Sequence, residues 1–313
     1  MREREPVEPA PEPAPEPVAL REPSTGRAVL LAPGRRRRPK LSGVDASAAA
    51  CPFCPGAEAQ TLPERDAVRP PETAADQPGW RVRAFANKYP ASPIHEVVVE
   101  GPEHHERPAA LGPGLWADVV RVWQRRIAAI EATPEVACAF VFKNVGARAG
   151  ASIVHSHSQV IGLAELPPRL QLERDQARAA AACPWCAALA TAEADERLIL
   201  RERGLAILAP TVPRLAHETW LLPTDCASAF EAADPDALGW MLDQLFVRVD
   251  RQLGEPPLNL WLHRLPASVD PSPGLHWHFE LQPRFGSLAG LELGAELTIN
   301  SVPPAESAAR LRG

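Results

Sequence analysis

The sequence predicts an α+β protein built from two copies of one unit, each an antiparallel sheet carrying one long helix. Three observations point there: the chain holds two CxxC pairs, each pair is followed by the same order of strand, helix and strand patterns, and the cysteines and histidines downstream nearly repeat their spacing. His104 follows Cys54 by 50 residues and Cys226 follows Cys186 by 40, whereas His155 follows His104 by 51 and His276 follows Cys226 by 50. The length difference therefore falls in the connection after CxxC, while the helix and closing strands keep register.

At 313 residues and 45% apolar content the chain can bury a substantial core. A formal charge of -6 argues against a protein that coats nucleic acid, and no apolar run reaches the roughly 18 residues of a membrane span. The start of the chain is acidic and proline-rich rather than basic and then apolar, so no secretory signal is visible and the cytoplasm is the expected compartment.

Residues 1–19, "MREREPVEPAPEPAPEPVA", have nothing to bury and are expected to form an extended, disordered tail. "STGRAVLLAPGRRRRPKL" then reads as a short apolar strand followed by arginines, a run that charge alone assigns to solvent. The first unit, residues 20–170, continues with "CPFC" at 51–54 and the strand-rich "WRVRAFANKYPASPIHEVVVEGPEHHE". An amphipathic helix follows in "LWADVVRVWQRRIAAIE", with Trp116, Val119, Val120, Trp123, Ile127 and Ile130 on one side, then the strands "ACAFVFKNV" and "HSHSQVIGL". The second unit, residues 171–313, gives "CPWC" at 183–186, then "LAILAPTVPRLAHETWLLPTDCAS". Its helix, "DPDALGWMLDQLFVRVDRQLG", has Asp234 as N-cap and Leu238, Met241, Leu242, Leu245 and Val249 on its buried face, and "LNLWLHRLP" and "HWHFELQPR" close the unit.

In a reducing compartment CxxC pairs are metal ligands or redox motifs, and the histidines downstream favour zinc. Cys138, in "ACAFVF", reads as a small buried side chain. In "VHSHSQV" strict alternation puts His155, His157 and Gln159 on one face of a strand, a pattern that the wet face of an ordinary strand also shows. "NVGARAGAS" precedes it, and there Gly146 and Gly150 would let backbone N–H groups approach phosphate oxygens. His95 and His217 each precede a glutamate and read as repeat-related strand positions without a separate ligand role.

Together these stretches resemble the galactose-1-phosphate uridylyltransferases and their relatives, the transferase branch of the histidine-triad superfamily. The resemblance covers residues 21–310 through "STGRAVLLAPGRRRRP", CxxC, "ANKYPA", "EGPEHH", "NVGARAGASIVHSHSQ" and "HWHFELQPR". The family's usual His-Pro-His is His-Ser-His here, similar to the sugar-nucleotide phosphorylase-like members. The resemblance implies two histidine-triad-like halves and a homodimer. It implies nucleotidyl transfer between a nucleoside diphosphate sugar and a sugar 1-phosphate, of the UDP-glucose:hexose-1-phosphate uridylyltransferase type used in galactose metabolism, or inorganic phosphate as the acceptor. His157 would be the nucleophile. Gln159 stands where hydrolases of the superfamily carry a third histidine; an amide can donate hydrogen bonds but is no acid, which suits a leaving group that needs no proton.

By the same resemblance Cys51, Cys54, His104 and His155 would hold a structural zinc, with His105 as the rival of His104. Arg35, Arg38, Asn87, Asn144, Gly150 and Ser152 would contact nucleotide or phosphate. Placing "HEVVVE" and "HETWLL" in register sets Cys226 where the first half has His104 and His276 where it has His155. A second zinc set of Cys183, Cys186, Cys226 and His276 is expected. The uridylyltransferases' own second metal set, matched here by Glu173, His263, His276 and His278, competes for His276. The second half would be a degenerate site, with Glu280 in place of Gln159. Two other classes stay open, a diadenosine-polyphosphate phosphorylase and a non-catalytic, zinc-stabilised binding protein, as does the choice between uridine and adenosine.

Overall fold

The computed structural model describes residues 15–37, 51–226, 229–266 and 276–313. The described elements are β1 (Val18–Arg21), β2 (Ala28–Leu31), β3 (Glu64–Val68), β4 (Val82–Ala86), β5 (Ile94–Val99), α1 (Gly112–Glu131), β6 (Cys138–Val145) and β7 (His157–Leu163). They continue with α2 (Pro168–Ala179), α3 (Pro184–Thr191), β8 (Leu198–Glu202), β9 (Leu205–Leu208), β10 (Thr219–Pro223), α4 (Pro235–Leu253), β11 (Leu258–His263), β12 (His278–Pro283), α5 (Gly290–Ala295) and α6 (Pro304–Arg312).

Ten strands form a single antiparallel sheet in the order β3-β4-β5-β7-β6-β11-β12-β10-β9-β8. Reading inward from either edge gives the same path: an outer hairpin, the strand after it, the closing strand, and last the strand that precedes the closing strand in the chain. The two halves are therefore not two sheets. They join along β6 and β11, where Val145 lies opposite Leu258 and Asn144 opposite Asn259. Pairing these inner strands satisfies two backbone edges that separate sheets would leave open.

Helices α1 and α4 pack against each other on one face of the sheet. The apolar side expected of α1 is buried throughout, as are Leu238, Met241, Leu242, Leu245 and Val249 of α4. Trp116 stacks on Phe246 across the pair at 4.9 Å. The approach is close at Gly239, where a Cβ would stand 2.4 Å from the backbone nitrogen of Ala117, so no other residue fits there. Asp234 caps α4 by accepting from the Asp236 N–H at 3.0 Å, and Gly254, with φ 74°, ends it. Replacing Asp234 with alanine is expected to lower the unfolding free energy by about 1 kcal/mol. Urea denaturation should show a lower midpoint with an unchanged slope; an unchanged midpoint would remove the cap from the account.

Three expectations change. The residues expected as a tail lie outside the described residues as far as 14, but Val18–Arg21 is a strand, paired with Ala28–Leu31 around a turn that contains Gly26 at φ 71°. The length difference between halves lies within the outer hairpins. Residues 69–81 connect β3 to β4, whereas β8 and β9 are joined by Arg203 and Gly204, whose φ values of 54° and 74° are those a tight two-residue hairpin requires. The repeat register is also offset. Val97 lies opposite Gln159 and Trp220 opposite Glu280, so Glu218, not His217, occupies the place of His95. His217 precedes β10 with φ 62°, and that left-handed residue absorbs the extra position.

Candidate active site and metal centres

The alternation of β7 sorts its side chains between two layers. Val97, Val99 and Phe85 pack with Phe53 and Cys51 on the face opposite α1 and α4, and His157 and Gln159 share that face through their pairing with Val99 and Val97. The serines turn toward the helices. Ser158 Oγ accepts from Trp123 Nε1 at 2.8 Å, and Ser156 Oγ donates to Glu100 at 2.7 Å. Buried Lys143 pairs with Glu100 and donates to Ser156 Oγ at 2.9 Å and to the His157 carbonyl at 3.2 Å. Burial lowers the lysine pKa against the pull of Glu100. Both serines thus have partners on the inner side of the strand that carries His157.

Nδ1 of His157 lies 2.7 Å from the carbonyl oxygen of His155. A carbonyl only accepts, so Nδ1 carries the proton and Nε2 the lone pair. The ring stands edge-on to Phe53, 5.3 Å between centroids. It lines a cavity of about 530 Å³ together with Phe53, Leu62, Phe85, Asn87, Tyr89, Ser152 and Gln159.

Four of the expected residues, Asn87, Ser152, His157 and Gln159, meet in this lining. Arg35 lies outside it and donates to the carbonyl of Tyr89 at 2.7 Å, bracing the loop that carries Asn87; burial lowers its pKa. Asn144 and Gly150 also lie outside the lining. The Asn144 side chain accepts from Asn259 across β6 and β11 at 2.8 Å, and Asn259 also donates to the carbonyl of Ala149 at 2.9 Å. Gly146 and Gly150, at φ 83° and 93°, bend the connection that delivers Ser152. Arg38 lies outside the described residues. Phe53, Leu62, Phe85 and Tyr89 went unnoticed in the sequence. His95, read from the sequence as a repeat-related strand position only, has its Nε2 2.9 Å from Gln159 Oε1.

The residues expected as metal ligands gather in two sets, Cys51, Cys54, His104, His155 and Cys183, Cys186, Cys226, His276. His155 Nδ1 is 3.6 Å from each of the Cys51 and Cys54 sulfurs, and His104 Nδ1 is 3.3 Å from Cys54. In the other set His276 Nδ1 stands 3.8 Å from Cys183 and 3.6 Å from Cys186. Zinc bonds of about 2.3 Å to sulfur and 2.0–2.1 Å to nitrogen give a tetrahedral S···N edge of about 3.6 Å, so both sets fit that ion. The second nitrogens are tied down as well: His155 Nε2 donates to Gly101 O at 2.8 Å and His276 Nε2 to Pro223 O at 2.7 Å. Burial lowers His155 to about 4, which leaves it in the neutral form that ligates. Burial, then Cys183 and Cys226, push the Cys186 thiol up to about 12, crowding that a divalent cation relieves. His105 is not in either set; its backbone carbonyl accepts from Ser156. Cys138 is fully buried, and burial raises its thiol to about 12.

The competition foreseen for His276 does not arise. His276 belongs to the cysteine set, and Glu280 takes its place beside Glu173, His263 and His278 in a third, fully buried cluster. There His263 Nδ1 is 2.9 Å from Glu173 and 3.9 Å from Glu280, and His278 Nε2 is 3.5 Å from Glu280. Beyond these mutual contacts, Glu173 Oε2, His263 Nδ1, His278 Nε2 and Glu280 Oε1 have no hydrogen-bond partner among the described residues, so the cluster can hold a cation. Burial alone would raise the Glu280 pKa, yet His278, His263 and Arg214 hold it well below the usual carboxylate range.

A profile described as the galactose-1-phosphate uridyl transferase N-terminal domain matches residues 34–167. The ADP-glucose phosphorylase of Arabidopsis thaliana is 29% identical over 333 residues, covering 95% of this chain and 92% of the relative. A galactose-1-phosphate uridylyltransferase of Thermotoga maritima is 26% identical over 312 residues, 93% of this chain and 96% of the relative. The crystal structure of an Arabidopsis thaliana ADP-glucose phosphorylase with bound ADP-glucose superposes with a TM-score of 0.75 at 30% identity, covering 95% of this chain and 98% of that one. With this sheet, these cysteine–histidine sets and His157 in the cavity, the chain belongs to the galactose-1-phosphate uridylyltransferase family of nucleotidyltransferases.

Proposed function

We propose that the protein moves a nucleoside monophosphate between a nucleoside diphosphate sugar and a sugar 1-phosphate, through a covalent intermediate on His157. The observation that carries this reading is the His157 ring, whose Nδ1–H is held at 2.7 Å by a carbonyl while the ring lines an aromatic-walled cavity. In the first step Nε2 attacks the α-phosphorus, the bond from that phosphorus to the bridging oxygen breaks, and the electron pair leaves with the sugar 1-phosphate, which needs no proton. In the second, a phosphate oxygen of the acceptor attacks the same phosphorus, the P–N bond breaks, and its electron pair returns to Nε2. The His155 carbonyl stabilises the positive charge that the ring carries between the steps. Gln159 and Asn87 offer amide donors to the phosphate oxygens, and Phe53, Phe85 and Leu62 offer faces to the base. The two cysteine–histidine sets would hold zinc with four protein ligands each, a structural role that leaves no position for substrate, and His155 would then tie the start of β7 to the CPFC segment.

Inorganic phosphate as the acceptor is a second reading, favoured by the likeness to ADP-glucose phosphorylase and by Ser156 and Ser158 in place of the family's proline-containing motif. A panel of nucleoside diphosphate sugars labelled at the α-phosphate tests both. Label should stay on the protein, then leave as a nucleotide sugar with hexose 1-phosphate under the first reading, or as a nucleoside diphosphate with phosphate under the second. No labelled protein with any donor would refute both. Replacing Gln159 with histidine is expected to slow transfer roughly 10-fold or more through loss of an amide donor. Steady-state transfer assays check it, and an unchanged rate would mean that Gln159 does not touch the reacting phosphate.

A further inference from the structure

His95 and Gln159 are both 3% exposed and sit diagonally across the β5–β7 pairing, since Val97 is the residue directly opposite Gln159. The Ala91 N–H donates to His95 Nδ1 at 3.0 Å. That bond makes Nδ1 the acceptor nitrogen, so the proton sits on Nε2, which lies 2.9 Å from Gln159 Oε1. A donor there fixes which end of the glutamine amide is the oxygen. Asn87 is oriented by the Tyr89 N–H, which donates to its Oδ1 at 2.9 Å; its Nδ2 lies 3.4 Å from His95 Nε2, two donors that make no hydrogen bond with each other.

We propose that His95 is a positioning residue that locks the Gln159 amide with its NH2 group, not its oxygen, toward the cavity. A flipped glutamine would present a carbonyl oxygen to the phosphate oxygens, replacing a hydrogen bond with repulsion. The second half treats the same diagonal differently. Glu218 stands at the place of His95 and Glu280 at that of Gln159, and Arg214 binds both carboxylates. The pair is coupled in both halves, but the first half alone couples it through a donor that leaves an amide NH2 to give.

The inference rests on the transfer reading above, and its test separates the two. His95→Asn keeps an acceptor for the Ala91 N–H but is too short to reach Gln159, whereas His95→Gln can place an N–H where Nε2 stands. The rate of His157 labelling in a single turnover is expected to fall roughly 10- to 100-fold in His95→Asn, with donor affinity within about 3-fold of wild type, and to recover most of that loss in His95→Gln. Because His95 acts through Gln159, His95→Asn should cost nothing further in a Gln159→Ala background. Equal rates in wild type and His95→Asn, or losses that multiply in the double variant, would overturn the inference. A wild-type protein that takes no label would instead overturn the transfer reading.

Discussion

Replacing His157 with alanine is expected to lower transfer by at least about 10⁴-fold, because the covalent route loses its nucleophile. The exchange of labelled sugar 1-phosphate into its nucleotide sugar, with no second acceptor present, isolates the step concerned. In wild type the exchange should proceed; in the variant it should vanish while the melting temperature stays within a few degrees, about what one side chain lost from a cavity wall costs. Exchange near the wild-type rate in the variant would take the nucleophile away from His157.

The second large effect is expected at Cys226. Alanine there leaves Cys183, Cys186 and His276 as an incomplete set, and the loss of a closed zinc site should remove one equivalent of zinc per chain and lower the melting temperature by about 10 °C or more. Metal analysis beside a thermal melt reads both quantities. The difference of one equivalent holds whatever the Glu173, His263, His278 and Glu280 cluster contains. Cys138→Ala is the control: that thiol is buried in another cluster, so zinc content should not change. Full zinc retention in Cys226→Ala would remove Cys226 from the set.

Much of this was legible in the sequence because it depends on local period and on repetition. The i, i+2 alternation of "HSHSQ" placed His155, His157 and Gln159 on one face, and the 3.6-residue period of the two helices picked out the side chains that fill the core. The duplication pointed to Cys226 and His276 before any geometry was known. What stayed hidden depends on which strands pair and with what offset. His95 reaches Gln159 across a diagonal 64 residues distant in the chain, a relation that no local spacing encodes. The offset of one between His95 and His217 could not be seen because a single left-handed residue absorbs it. The joining of β6 to β11 left no mark in composition, since both strands read as ordinary buried strands.

The partition of His276 was hidden for a related reason. In "HWHFE" the residues His276, His278 and Glu280 alternate onto one face, and a sequence cannot say where along that face one ligand set ends and the next begins. The structure divides them between His276, tied to the Pro223 carbonyl and the cysteines, and His278, placed between Glu280 and the ring of His263. The same division exists in the first half, where His155 belongs to the metal set and His157 to the cavity. One strand pattern thus places its first histidine in a cysteine–histidine set and its second in a cavity wall or a buried polar cluster.

The mass of the intact protein, after mixing with a nucleoside diphosphate sugar in the absence of any acceptor, tests the central claim most directly. The expected result is a gain of one nucleoside monophosphate per chain, stable to base and lost in acid, on the peptide that contains His157. An unchanged mass in a protein that still turns over both substrates, or an adduct on another residue, would contradict the account.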